Sequence, residues 1–375
     1  MDSDCLEAVR AASVWDTAPV LLAVGTALPP NVVDQQSLAA LLRSLWSEEY
    51  SGSRRWQATF DQVNRTVRID RRYLALPVSE YVALDSFAKT NAAWTRLAPD
   101  LGATAVLDVL RGAGLEARDV DHLFLITGTG IATPSIDARL VNRLGMRPDV
   151  QRTPIFGLGC AGGVAGVARA ADYVRAYPDR VALVVSVELC SLTLQRDDRS
   201  IANVVAASLF GDGAAATVVA GAEIAGGRGG GGPRVIATRS VFYPDTERMM
   251  GWDIVDSGFK IVLSPTIPDL VREQVGSDVD DFLASHGLER RLISHWIAHT
   301  GGNRVLEALE TALDLAPGAL ERSWRLLGAT GNLSSASVLF VLRDLLDSRD
   351  PRPGDWGVML AMGPGFCAEL VLLRW

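Results

Sequence analysis

Apolar residues along the chain fall into two kinds of run. His122-Leu123-Phe124-Leu125-Ile126-Thr127 and Ala182-Leu183-Val184-Val185-Ser186-Val187 are short and nearly continuous, as strands buried on both faces require. Pro134 to Leu144 and the Ala-rich Ala161 to Ala176 instead carry helical spacing. Strand-like and helix-like runs alternate, which predicts an α/β fold with its sheet covered on both sides. Trp296-Ile297-Ala298, Val338 to Leu342 and Val358-Met359-Leu360-Ala361 continue the pattern, and Asn303 to Leu309 reads as a helix. The Gly-rich stretch Gly226 to Pro233 divides the pattern. It reads either as a link between two similar halves, 1–225 and 234–375, or as a long loop inside one domain. No sequence repeat relates the halves, so any duplication is structural.

Composition narrows the function. Hydrophobic residues at 48% and charged residues at 21% of 375 describe an ordinary globular chain. Among 36 basic residues only Lys89 and Lys260 are lysines, and neither lies in a Gly-rich phosphate loop, which argues against Schiff-base and P-loop chemistry. A net charge of −8 without a basic run longer than two argues against an extended nucleic-acid surface. No 18-residue apolar run occurs, and Met1-Asp2-Ser3-Asp4 is acidic where a signal peptide is basic. The expectation is a soluble cytoplasmic protein without a membrane span. Cys5, Cys160, Cys190 and Cys367 are too widely spaced for a zinc site or a disulfide framework, so no metal is expected, and a notable cysteine here is a reactive thiol.

Three segments can carry chemistry. In Phe156-Gly157-Leu158-Gly159-Cys160-Ala161-Gly162-Gly163-Val164-Ala165-Gly166, glycines permit a strained turn into a helix that packs closely on its neighbours. Cys160 would then sit at a helix N-terminus, where thiolate is favoured over thiol; a small buried cysteine is the other reading. Of the four histidines, His299 lies at the end of an apolar run and precedes Thr300-Gly301-Gly302, a placement suited to facing a cleft. A structural histidine fits that spacing as well. Asn332, in Thr330-Gly331-Asn332-Leu333-Ser334-Ser335-Ala336-Ser337, can donate amide hydrogens to a developing oxyanion, or Asn332 or Ser334 can cap a helix.

The order of these segments decides. G-L-G-C-A-G-G at Gly157, S-L-F-G-D-G-A-A-A at Ser208, H-T-G-G at His299, G-N-L-S-S-A-S at Gly331 and M-G-P-G at Met362 together resemble the type III polyketide synthases. These are the chalcone and stilbene synthase family within the thiolase-fold condensing enzymes, and the likeness runs from about Pro19 to the C-terminus. The resemblance implies a five-layer αβαβα fold of two related halves, a homodimer, and catalysis by Cys160, His299 and Asn332. Cys160 would carry the chain as a thioester, with His299 holding its thiolate as an ion pair. His299 and Asn332 would hold the malonyl thioester oxygen during decarboxylation. Acyl-CoA and malonyl-CoA would be substrates, and no cofactor is implied.

By the same resemblance Phe210 and Phe259 match gatekeepers between the coenzyme A tunnel and the cavity, Ser334 and Cys190 line the cavity, and Gly363, Pro364 and Gly365 shape its floor. The family's coenzyme A-binding basic residues are missing near Thr66, which leaves Arg54, Arg55, Arg65 and Arg68 as substitutes. Thr300 stands where the family commonly has Pro. Cys5 and Cys367 receive no role. The expected reaction is condensation of malonyl-CoA onto an acyl-CoA starter, with a long-chain alkylresorcinol or alkylpyrone as product. A malonyl-only synthase making a hydroxylated phenylacetyl or naphthalene compound is the near alternative. Further away are a single-round ketoacyl synthase III-like enzyme and a non-catalytic thiolase-fold binding protein.

Overall fold

The computed structural model describes residues 17–50, 54–227 and 231–375. Cys5 and the middle of the Gly-rich stretch lie outside these residues, while Gly226 and Gly227 close a short helix, Ala222–Gly227.

Nine strands form one mixed sheet, running Ile293–Ala298, Trp356–Gly363, Cys367–Arg374, Arg234–Phe242, Val20–Ala27, Asp212–Ala220, Val181–Leu189, His122–Ile126 and Gln151–Ile155 across its width. The first four strands come from the C-terminal part and the other five from the N-terminal part. They meet at a single pair, Val20 with Arg234, supported by Leu21 N–H to Pro233 O at 2.9 Å and Val235 N–H to Pro19 O at 2.8 Å.

Strand alternation builds the layers. Leu123 and Leu125 face an outer core with Val106 and Val109 of the helix Phe87–Ala113, whereas Phe124 and Ile126 face inward. In the other half Val358 and Leu360 face a second outer core with Leu306 and Leu309 of the helix Asn303–Ala312, and Met359 and Ala361 face inward. Both inward faces close on the helices Gly162–Ala176 and Ser337–Ser348. The result is the five-layer αβαβα arrangement of the thiolase fold.

Glycine lets the helix Gly162–Ala176 lie close both to the entry of the helix Ser337–Ser348 and to the strand His122–Ile126. A Cβ on Gly163 would strike the Ser335 carbonyl oxygen, and one on Gly162 or Gly166 would lie 2.6 Å from an Ile126 methyl. This close approach brings Cys160 near the turn that carries Asn332.

Candidate active site

Cys160 lies in the turn Gly159–Ala161 that leads into the helix Gly162–Ala176, with Gly157 at φ 93° and Gly159 at φ 45°. The elbow is therefore a position only glycines hold without strain. Pro364 packs on it, since a Cβ on Gly159 would lie 2.7 Å from Pro364 Cδ, and Gly363 leaves room for the Leu158 carbonyl. Gly363 and Pro364 thus buttress the elbow, whereas Gly365 lies against Phe242 and Cys367. Met362 and Phe366, on either side of these three residues, face the cavity of Cys160.

Cys160, His299 and Asn332 line one cavity of about 440 Å³. His299 ends the strand Ile293–Ala298, its N–H bonded to Leu360 O at 2.9 Å, and it is 3% exposed. Among the described residues neither ring nitrogen has a partner, and burial pushes its pKa down to about 3, which favours the neutral imidazole. Asn332 Oδ1 accepts the Ser334 N–H at 2.8 Å, which orients the amide and turns its Nδ2 hydrogens into the donors available to a ligand. That internal turn replaces the helix cap that the sequence left open. Main-chain bonds to Leu209 O and from Gly211 N–H, both 2.9 Å, fix Asn332 from behind.

The thiol of Cys160 donates to Ser334 Oγ at 3.8 Å. Burial pushes its pKa up to about 12, with the charge of Glu188 acting the same way and hydrogen bonds from Ser334 and Asn332 opposing. The helix terminus alone therefore does not make a thiolate, contrary to the sequence expectation, because desolvation is the larger effect. Burial thus favours the thiol at Cys160 and the neutral imidazole at His299.

Glu188 went unrecognised in the sequence, although it is an acid inside an otherwise apolar strand, Val181–Leu189. It is fully buried, and burial raises its pKa. It accepts from Gly128 N–H at 3.0 Å, Thr129 Oγ1 at 2.9 Å, Ser334 Oγ at 3.2 Å and Ser335 Oγ. Ser334, at φ 50°, thus links the thiol to a carboxylate.

A second cavity, about 330 Å³ and mostly apolar, includes Cys190, Trp252 and Ile261 in its wall. Phe210 lines both cavities and so stands between them. Cys190 is buried, and desolvation holds its thiol well above the usual range, as befits a wall residue. Phe259 does not line either cavity, which corrects its expected gate position. It sits in an aromatic cluster, 5.5 Å from Phe87, 6.0 Å from Trp252 and 6.4 Å from Phe156 between ring centres. Ile261, two residues along the same strand face, reaches the cavity instead.

Arg54, Arg55, Arg65 and Arg68 are exposed and line neither cavity. The helix Arg54–Thr66, which carries the first three of them, presents Thr59, Gln62, Val63 and Thr66 to the cavity of Cys160. Arg68 pairs with Glu307 at 3.4 Å and covers Trp324. The arginine that does line this cavity is Arg304, exposed in the first turn of the helix after His299-Thr300-Gly301-Gly302. Among the described residues no cluster of His, Cys, Asp or Glu could hold a metal, and no helix is long and apolar enough to cross a membrane.

Residues 6–223 match the family of chalcone and stilbene synthases, N-terminal domain, and residues 234–375 match its C-terminal domain. A 1,3,6,8-tetrahydroxynaphthalene synthase of Streptomyces peucetius subsp. caesius is 51% identical over 97% of this chain and 95% of its own. A 3,5-dihydroxyphenylacetyl-CoA synthase of Streptomyces toyocaensis is 33% identical over 95% and 94%. The crystal structure of 1,3,6,8-tetrahydroxynaphthalene synthase from Streptomyces coelicolor A3(2) superposes with a TM-score of 0.87 at 30% identity, covering 95% of this chain and 99% of that one. The chain therefore belongs to the chalcone and stilbene synthase family and is a type III polyketide synthase of the bacterial kind.

Proposed function

We propose that this synthase builds a hydroxylated aromatic polyketide from malonyl-CoA alone, malonyl serving as both starter and extender. The observation that carries this reading is the 51% identity, over nearly the whole chain, to a tetrahydroxynaphthalene synthase, with a dihydroxyphenylacetyl-CoA synthase also among its relatives. It replaces the sequence expectation of an alkylresorcinol or alkylpyrone made on a long acyl starter.

The chemistry follows from the neutral pair. His299 takes the proton of Cys160, and the thiolate attacks the thioester carbonyl of a malonyl-CoA; a carbon–sulfur bond forms and coenzyme A leaves with the proton. A second malonyl-CoA places its thioester oxygen against Asn332 Nδ2 and the His299 ring. Its carboxylate leaves as carbon dioxide, and the electron pair moves into an enolate held by those donors. The enolate carbon attacks the Cys160 thioester, forming the new carbon–carbon bond and freeing the sulfur for the next transfer. Arg304 at the cavity rim supplies the cation for coenzyme A phosphates. The reading extends to a homodimer, for which exposed Phe156 and Ile131 beside the edge strand Gln151–Ile155 offer an apolar face; sedimentation at the mass of two chains is the expected result.

Supplying malonyl-CoA as the sole acyl donor tests the substrate reading. Aromatic product should accumulate at a rate that added acyl-CoA starters do not raise. Product that appears only when an acyl-CoA starter is added would return the assignment to an acyl-primed synthase. A single condensation that requires acyl carrier protein would indicate a ketoacyl synthase.

A further inference from the structure

Arg72 is buried to 1% exposure on the strand Arg71–Leu74, outside the set of residues assigned to the reaction. Its Nη1 donates to the carbonyl oxygens of Ala207 and, at 3.2 Å, Phe210. These belong to the end of the helix Ile201–Leu209, whose last carbonyls would otherwise lack donors. The remaining two are also accounted for: Ser208 O takes Gln35 Nε2 at 3.1 Å, and Leu209 O takes the main-chain N–H of Asn332 at 2.9 Å.

The guanidinium therefore grips the helix end on both sides of the residue that holds Asn332. Asn332 O in turn receives Gly211 N–H at 2.9 Å. The Arg72 stem also forms the wall behind this turn: a Cβ on Gly331, at φ 73°, would lie 3.1 Å from Arg72 Cγ and 2.6 Å from Leu209 O. Among the described residues Arg72 Nε and Nη2 have no hydrogen-bond partner and are buried. A buried guanidinium with two idle nitrogens is an expensive way to finish a helix. What it secures is the position of the amide that faces the reacting oxygen and of the Phe210 ring between the cavities.

We propose that Arg72 is a positioning residue for decarboxylation, holding Asn332 and Phe210 in place through the clamped end of the helix Ile201–Leu209. This rests on the reading that Asn332 stabilises the enolate. Arg72 touches no reacting atom and acts through Asn332, so its removal should slow the enolate step and spare acyl loading onto Cys160.

The experiment measures carbon dioxide release from malonyl-CoA and, by intact mass, acylation of Cys160, in Arg72→Met, Arg72→Lys, Asn332→Ala and the Arg72→Met/Asn332→Ala double variant. Arg72→Met should lower kcat for release on the order of a hundredfold, as displacement of a catalytic group does. KM should stay within about threefold and loading should be unchanged. Arg72→Lys, which keeps a cation but not the fork, should fall between, and the double variant should be no slower than Asn332→Ala. Wild-type release in Arg72→Met, an equal loss of loading, or multiplying losses in the double variant would overturn the proposal. If Arg72→Met does not fold, Arg72→Lys decides: slowed release with intact loading supports the proposal, and no loss or a shared loss contradicts it. Wild-type release in Asn332→Ala would instead refute the role of Asn332, and the proposal with it.

Discussion

The two central helices are entered by different turns, and the reaction divides between them. The helix Gly162–Ala176 is entered through glycines that hold Cys160 in an apolar elbow, where the sulfur's bond to Ser334 is a weak one of 3.8 Å. The helix Ser337–Ser348 is entered through Asn332 and its serines, whose polar atoms satisfy one another and Glu188. A nucleophile left in its neutral form gains reactivity only when a base accepts its proton, whereas an oxyanion donor must be oriented in advance. The sparse turn and the saturated turn meet those two needs, and Gly163 against Ser335 brings them together.

The strongest way to break this comparison is to remove the sulfur. Cys160→Ala should reduce polyketide formation to background, on the order of a thousandfold or more below wild type, by product chromatography; residual polyketide would remove Cys160 from the mechanism. Next is the contact between the turns. Gly163→Val should lower unfolding free energy by roughly 1–3 kcal/mol in urea titration, the cost of overpacking, because the Ser335 carbonyl has nowhere to move. An unchanged midpoint would mean the helices are not packed through glycine.

Smaller effects sharpen the electrostatics. Once Cys160 ionises, the Ser334 hydroxyl turns from Glu188 to donate to the sulfur; Ser334→Ala removes that bond, so the pH inflection of Cys160 alkylation should move up and the rate at a fixed pH should fall less than about tenfold. A faster rate would contradict the assigned bond. His299 is held neutral with a pKa near 3 against an ordinary 6.5. The unfolded chain thus binds the extra proton first, and the contribution is lost as pH falls from about 6.5 towards 3. His299→Gln should therefore lose less stability than wild type across that window in acid titrations of unfolding; parallel curves would refute it.

The sequence made much of the scaffold legible, since buried strands such as His122–Ile126 and Val181–Leu189 are continuous apolar runs and the elbow glycines announce a strained turn. It was less informative where three-dimensional proximity decides. A basic side chain near the right turn says nothing about the face it occupies, so sequence position does not reveal that Arg304, rather than Arg54, Arg55, Arg65 or Arg68, lines the cavity of Cys160. Phe259 and Ile261 share a strand face, and periodicity cannot tell which one reaches a cavity. The glycines around Pro364 signalled close approach, and for Gly363 the structure shows the approaching partner to be the Cys160 elbow. Glu188 was within reach, because a lone acid in a buried strand demands partners, but those partners lie up to 147 residues away.

The division of work between the two turns is tested most directly by following malonyl-CoA through two single variants, with intact mass for the Cys160 adduct and trapped carbon dioxide for decarboxylation. The account predicts that Cys160→Ala carries no adduct yet still releases carbon dioxide, and that Asn332→Ala carries the adduct while release falls on the order of a hundredfold or more. Loss of both activities together in either variant would contradict it.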